Sequence, residues 1–241
     1  MGILTNSLKE FKKLLVENDL MNEQIEVVSA RTLTPFQAVG KPERDDYPIL
    51  IGREVLVEAS FKGSKGQAFT DEPGNYKGEI KNIVDMHLSN NFDRAVLIAS
   101  INAVLKHLGL IKATVHCKNE ELGICAKNLS KHIKEKYGNP SIGLIGLQPG
   151  MANELSKLFK LRIVDLDKEN FGKDFNGVLV EGPSQTESII KNSDIILATG
   201  STAVNDTIDT FLAGKEVIFY GTTGAGVAYL NNLTTFCYFG S

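Results

Sequence analysis

The residues best suited to bind a small ligand stand in a turn at 199–202, which reads Thr-Gly-Ser-Thr. The turn follows an apolar run at 194–198 and precedes a predicted helix. Helix N-termini attract anions through free backbone N–H groups, and Ser201 or Thr202 can either cap the helix or donate to a ligand. No lysine and no second glycine follow Gly200, so the turn is not a phosphate-binding P-loop. We therefore expect neutral donors to hold a ligand here.

Three further apolar runs, at 141–146, 161–166 and 216–220, end in turns with small or polar residues. The candidate residues are Gly146, Gln148 and Pro149 at the end of the first run, Asp165 at the end of the second, and Thr222 after the third. The first turn reads G-L-Q-P-G and lacks the G-x-G-x-x-G fingerprint of dinucleotide sites. Pro149 can still begin a helix whose N–H groups attract an anion. Asp165, or Asp167 beside it, stands where a ribose-binding carboxylate would lie. The alternative is that it only ends the strand or caps the next turn.

The predicted helix after the 199–202 turn extends to 212 and places Asn205 and Asp209 on one face. Asparagine is a poor helix former, and capping does not account for one at this position. Two interpretations of Asn205 stay open: it contacts a ligand, or it braces a loop.

His116, Cys117 and Cys125 form the group with the strongest metal-binding chemistry. Thiolate and imidazole suit soft or borderline metals. The spacing differs from that of structural zinc sites, which usually have a C-x-x-C pair and four ligands, so buried free thiols are the alternative. The chain has no G-x-S-x-G and no H-E-x-x-H motif, and no catalytic residue can be named.

Composition limits the class of partner. Hydrophobic residues make up 42% of the 241 residues and charged residues 23%, as in soluble globular proteins, and the net charge is −3. Acidic and basic residues are interspersed, which disfavours nucleic acid as a partner. No apolar run approaches about 18 residues and the first residues do not resemble a signal peptide, so we expect no membrane span and a cytoplasmic location.

The predicted elements divide the chain near residue 110. The first part reads as a helix, strands at 24–34, 47–61 and 67–70, and helices at 79–88 and 92–108, which is an α+β pattern. The second part alternates helices with apolar runs at 141–146, 161–166, 194–199, 216–220 and 234–239. Such runs indicate an α/β fold with a parallel sheet buried on both faces, in a doubly wound, Rossmann-like domain. Ligands bind beyond the carboxyl ends of such strands, where the four turns are expected.

Two segments resemble a known family. The stretch F-D-R-A-V-L-I-A-S-I-N-A at 92–103 resembles its "AAxNA" helix, and A-T-G-S-T-A-V-N-D-T-I-D at 198–209 resembles its "TGTTLxNxT" turn. The chain is similar over nearly its whole length to the DUF364 family, described as "putative heavy-metal chelation" proteins. The N-terminal DUF4213 region of that family is similar in fold to the N-terminal domain of enolase. This chain departs at Ser201 and Ala203, where the family more often has Thr and Leu, and at 221–226, where it often has a Ser, Thr and Pro turn.

The resemblance implies an enolase-N-terminal-like α+β domain at 1–110, a Rossmann-like α/β domain at 111–241, and a site in the cleft between them. The family motifs correspond to Asn102, Gly200, Ser201, Thr202, Asn205 and Thr207, and Thr70 ends a strand that could face the same cleft. For Asn102, a structural hydrogen bond to the neighbouring domain and direct ligand contact are both open.

Two functions follow as hypotheses. In the first, the protein binds a small anionic ligand or a metal chelate in the cleft. In the second, it is an enzyme with a nucleotide or S-adenosylmethionine cofactor on the Rossmann-like half. A metal ion at His116, Cys117 and Cys125 would be independent of both. The expected partner is a small-molecule or metal ligand, with no nucleic acid and no membrane, and a homo-oligomer is left open.

Overall fold

The structure is a computed structural model that describes residues 2–28, 34–212 and 214–240. Its α-helices are α1 (Ile3–Glu17), α2 (Pro35–Val39), α3 (Ile80–Val84), α4 (Asn91–His107), α5 (Glu121–Tyr137), α6 (Pro149–Ser156), α7 (Thr186–Asn192), α8 (Ser201–Val204) and α9 (Ala225–Leu230). Its strands are β1 (Gln24–Val28), β2 (Val55–Phe61), β3 (Ser64–Thr70), β4 (Tyr76–Glu79), β5 (Ile142–Ile145), β6 (Leu161–Val164), β7 (Asp174–Phe175), β8 (Val178–Glu181), β9 (Ile195–Thr199), β10 (Glu216–Tyr220) and β11 (Thr234–Phe236). Short 3-10 helices occupy Lys168–Asn170, Pro183–Gln185 and Ile208–Phe211. Within these ranges, every helix is too short or too polar to cross a bilayer.

The first sheet is antiparallel, in the order β3-β2-β1-β4. Its central hairpin turns at Lys62 and Gly63, which both have positive φ, as a two-residue hairpin turn requires. The predicted strand at 24–34 is present as β1, and its part at 29–33 lies outside the described residues. The predicted strand at 47–61 is wrong before Val55, because Pro48 and Gly52 support turns there.

Helix α4 forms the centre of the molecule. Every residue from Ala95 to Leu105 is buried. The helix contacts β2 and β3 on one side and α8 and α9 on the other. One hydrophobic cluster therefore joins the antiparallel sheet to the second sheet across the predicted boundary at residue 110.

The second sheet has the order β11-β10-β9-β5-β6-β8-β7, and all its pairs are parallel except β7 with β8. Alternate residues face opposite sides. Ile145, Ile196 and Phe219 belong to the cluster that contains α4, whereas Leu144, Leu197 and Ile218 pack in a second cluster with α5 and α6. The prediction of an α/β fold with a parallel sheet buried on both faces is confirmed.

The helix predicted at 201–212 is wrong beyond Val204. Asn205 ends α8, and Asp206 has a φ of 56°, which interrupts a right-handed helix. The Thr207 N–H group donates to the Thr202 carbonyl at 2.9 Å before a separate 3-10 turn begins. Asn205 and Asp209 therefore do not lie on one face of a continuous helix.

Candidate functional site

The turns after β5, β6, β9 and β10 lie side by side, because these strands are neighbours in the sheet. The chain reverses its direction of winding between β5 and β9, and such switch points are where doubly wound sheets bind ligands. Hydrogen bonds join the turns directly. The Tyr220 hydroxyl donates to the Gly146 carbonyl at 2.7 Å, and the Gly200 N–H group donates to the Tyr220 carbonyl at 3.1 Å. We call this edge of the sheet the carboxyl edge.

Two backbone N–H groups at the turn after β5 donate to side chains of the protein itself. Gln148 caps α6 by accepting from the Met151 N–H group, and Pro149 occupies the first helical position, where it has no N–H to offer. The Leu147 N–H group donates to the Asp165 carboxylate at 2.6 Å. This carboxylate also accepts from the Asp167 N–H group at 2.8 Å and the Asn170 amide at 3.1 Å. Asp165 thus fastens two turns together.

The turn at 199–202 is also closely packed. A Cβ atom on Gly200 would lie 2.3 Å from the Gly224 nitrogen, so the turns after β9 and β10 meet backbone to backbone. The Thr202 hydroxyl donates to the Thr199 carbonyl at 2.8 Å, and the Ser201 N–H group donates to the Thr199 hydroxyl at 3.3 Å. Neither Ser201 nor Thr202 caps α8. The Thr207 hydroxyl donates to the Thr202 carbonyl at 3.4 Å.

Asn102 holds three segments in contact. Its amide nitrogen donates to the carbonyls of Gln67, Thr222 and Thr223 at 3.0 to 3.2 Å. Its amide oxygen accepts from the Gly226 N–H group at 2.7 Å. The side chain is fully buried, and these bonds use all of its polar atoms. Among the described residues, the neighbouring Thr222 hydroxyl is buried without a hydrogen-bond partner.

Residues of the first half of the chain lie opposite the carboxyl edge. The Thr70 hydroxyl accepts from the Glu72 N–H group at 3.1 Å. The Asn91 amide donates to Asp71 at 2.7 Å and approaches the Asn205 oxygen at 3.5 Å. Asn205 therefore lies where α8 approaches the first turn of α4.

Arg53 and Glu54, just before β2, complete this surface and were not predicted from the sequence. Arg53 pairs with Asp167 at 2.7 Å, across the two halves of the chain. The charges of Asp165, Asp71 and Asp167 act on Glu54, which is half-buried and has no hydrogen-bond or ion-pair partner among the described residues. Burial, followed by the repulsion of these acids, raises the pKa of Glu54 to about 7. We call Glu54, Asp71, Asp165 and Asp167 the acidic cluster.

A signal for these residues was present in the sequence. Arg53 and Glu54 interrupt the apolar residues of the strand predicted at 47–61, and charged residues are rare inside a buried strand. Tyr220 was also missed, although it is a polar residue at the end of an apolar run. Burial, with Asp165 and Glu54 nearby, raises the pKa of Tyr220 well above its ordinary value, so its hydroxyl stays a neutral donor.

Residues 128–225 match the DUF364 family, described as "Putative heavy-metal chelation". A crystal structure of a protein of unknown function from the DUF364 family of Pyrococcus horikoshii is similar, with a TM-score of 0.55 and 18% identity. The alignment covers 90% of this chain and 80% of that one. A DUF364 protein of unknown function from Desulfitobacterium hafniense DCB-2 gives a TM-score of 0.49 and 10% identity over 76% and 74% of the two chains. No curated protein matches this chain.

The family description makes metal ligation the first chemistry to test. Among the residues the structure describes, no group of three or more His, Cys, Asp or Glu side chains is arranged to hold a metal ion. His116, Cys117 and Cys125 are not such a group, and a metal centre at these residues stays a prediction. The His116 Nδ1 atom lies 2.7 Å from the Cys117 carbonyl oxygen, which can only accept, so this nitrogen carries the proton.

The two thiols interact with each other. Cys117 and Cys125 are both buried and hydrogen-bonded through their side chains. This bond, assisted by the backbone N–H groups of Tyr238 and Phe239, lowers the pKa of Cys125 to about 7. The same bond and burial raise the pKa of Cys117. Cys125 is the thiol with the greater thiolate character.

Proposed function

We propose that the protein binds a small, positively charged ligand at the carboxyl edge, with Glu54 as the counter-charge, and that metal chelates belong to this ligand class. Glu54 carries the proposal, because it is the member of the acidic cluster that receives no donor from the described residues. The other acids of the cluster already have donors: Asp71 from Asn91, Asp165 from two backbone N–H groups, and Asp167 from Arg53. A cation beside Glu54 would relieve the repulsion that raises its pKa.

A metal chelate suits the chemistry of this surface better than a bare metal ion does. The described residues offer no set of three ligating side chains. A chelating molecule brings its own donor atoms, so the protein needs to supply only charge and hydrogen bonds. The description of the matched family supports a metal-bearing ligand.

An anionic ligand and a nucleotide have less support. Two N–H groups at the turn after β5, those of Leu147 and Met151, already donate to Asp165 and Gln148. Asp165, which occupies the ribose-binding position, has its oxygens engaged by three donors. The acidic cluster would also repel an anion.

We further propose that residues 1–110 form a DUF4213-type, enolase-N-terminal-like unit, that 111–241 form a Rossmann-like unit, and that the ligand lies in the cleft between them. Contacts from Arg53 to Asp167, and from the Phe69 N–H group to the Thr223 hydroxyl at 3.2 Å, support this position.

The test compares two cobalt(III) complexes of opposite charge by isothermal titration calorimetry. Hexaamminecobalt(III) is a cation with a filled coordination sphere, and the cobalt(III)–EDTA complex is an anion. We expect only the cation to bind, and Glu54→Gln to weaken it about tenfold or more. The matched control is Glu135→Gln, which neutralises an exposed glutamate on α5.

The same titration tests the role of Glu54 through protons. Because the cation favours the ionised carboxylate, its affinity should rise with pH through about 7, and binding at neutral pH should release protons. Binding of the anion alone, or equal binding by wild type and Glu54→Gln, would exclude Glu54 as the counter-charge. Tight binding of a nucleotide or S-adenosylmethionine would instead support the enzyme hypothesis.

A further inference from the structure

A cavity separate from the acidic cluster lies at the N-terminus of α6. It has a volume of about 150 Å³. Ligand pockets for drug-sized molecules begin at about 300 Å³, so this cavity suits a molecule of only a few heavy atoms. Its walls include Glu43, Tyr47, Glu120, Lys127 and Gly150, none of which belongs to the acidic cluster.

Two hydrogen-bond donors meet in this cavity. Tyr47 is only 5% exposed, and its hydroxyl has no hydrogen-bond partner among the described residues. This oxygen lies 2.9 Å from the position that a Cβ atom on Gly150 would occupy. The Gly150 N–H group belongs to the first turn of α6 and has no acceptor in the described part of the chain. Since Tyr47 lines the cavity, an acceptor inside the cavity can pair with its hydroxyl.

Tyr47 can act only as a neutral donor or acceptor there. Burial raises the pKa of Tyr47 to about 12. The hydroxyl therefore keeps its proton at neutral pH and is a second donor beside the partially positive N-terminus of the helix. A carboxylate can accept from both donors at once, with one oxygen for each.

The charges around the cavity have both signs. Arg44 is engaged by Asp46 through two bonds of 2.9 and 2.6 Å. Lys127, Glu43 and Glu120 make no ion pair within the described ranges. Glu43 approaches the start of α5, because one of its carboxylate oxygens lies 4.0 Å from the position that a Cβ atom on Gly123 would occupy. Considering only the described residues, one cation and two anions without an ion pair thus lie around the two donors.

We propose that this cavity binds a small zwitterion of the α-amino acid type. Its carboxylate accepts from the Tyr47 hydroxyl and the Gly150 N–H group, and Lys127 adds a positive charge. Its ammonium group donates to Glu43 or Glu120. The volume limits the side chain to a few atoms. This site does not depend on the ligand at the carboxyl edge.

The test titrates the full chain with alanine, propanoate and alaninamide, and follows backbone NMR signals of Gly150 and Gly123. Propanoate lacks the ammonium group, and alaninamide lacks the carboxylate. We expect saturable shifts with alanine and at least tenfold weaker binding of the other two. Equal binding of propanoate would overturn the zwitterion and indicate a simple anion site. The absence of saturable shifts with alanine at tens of millimolar would overturn the site altogether.

Variants identify the groups that bind. Tyr47→Phe keeps the ring and removes the hydroxyl, and we expect it to weaken the binding of alanine about tenfold. Glu120→Gln and Lys127→Gln are surface changes that leave the core intact, and each should weaken binding several-fold. The matched control is Lys131→Gln, one turn along α5 from Lys127, where the lysine is exposed and pairs with Glu135. Unchanged affinity in Tyr47→Phe would contradict the proposal, and Glu54→Gln should leave alanine binding unaltered.

Discussion

Glu54 makes stability depend on pH in an unusual direction for a carboxylate. Its pKa rises from an ordinary 4.5 to about 7 in the folded chain. The folded state therefore holds a proton that the unfolded state has released between these values, and stability falls as pH rises through this window. At 1.36 kcal/mol per pKa unit, the free energy of unfolding falls by about 3 kcal/mol over the whole window. About 2 kcal/mol of this fall occurs between about pH 5.5 and about pH 8.5.

The perturbation is Glu54→Gln, which keeps the shape and removes the charge. Urea unfolding should show that, between the two pH values, the free energy of unfolding of the variant rises by about 2 kcal/mol relative to that of wild type. In a chain of this length, that gain corresponds to roughly 4–8 °C in melting temperature. Glu135→Gln should give a difference from wild type that does not vary with pH, since that residue is exposed. A pH-independent difference for Glu54→Gln would refute the raised pKa and, with it, the reasoning that Glu54 lacks a donor.

Three further predictions follow from the contacts of the site. Asn102→Ala should lower the free energy of unfolding by about 3 kcal/mol or more, because the Gly226 N–H group and three carbonyls lose their partner; a loss below about 1 kcal/mol in urea unfolding would contradict this. Gly200→Ala should lower the free energy of unfolding by about 2 kcal/mol or more, because the new Cβ atom would lie 2.3 Å from the Gly224 nitrogen. Ser201→Ala should leave it nearly unchanged, and equal melting temperatures for the two variants would contradict the close packing. Alkylation of Cys125 should follow a pKa of about 7 and shift to higher pH in Cys117→Ala, as measured by mass spectrometry; an unchanged profile would show that the thiols do not interact.

Patterns that depend on local periodicity predicted the fold well. The apolar runs predicted at 141–146, 194–199 and 216–220 contain three neighbouring strands, because a parallel sheet needs continuous burial on both faces. The helix at 201–212 was not predicted correctly. Its apolar spacing suits a helix, but the left-handed residue Asp206 interrupts it, and that conformation depends on contacts with the rest of the chain.

The sequence predicted where the turn residues lie in the sheet but not how their polar groups pair. Turn residues such as Gly146, Asp165 and Gly200 do meet at one edge, since strand order brings them there. Their hydrogen-bonding groups pair with one another, which no spacing rule reveals. Glu54 is distant in sequence from all of them and reaches the edge only because α4 holds the first sheet against the second. Tyr47 likewise meets Gly150 through tertiary packing.

The acidic cluster changes what the carboxyl edge can bind. In many doubly wound folds, this edge presents free N–H groups to an anionic cofactor. Here Asp165 accepts from the Leu147 N–H group, so a negative side chain replaces the anion within the protein itself. The surface that remains beside it is negative, and Glu54 is left without a donor among the described residues. These charges are the reason for proposing a cation at this edge, because function follows the charges of a site and not the order of its strands.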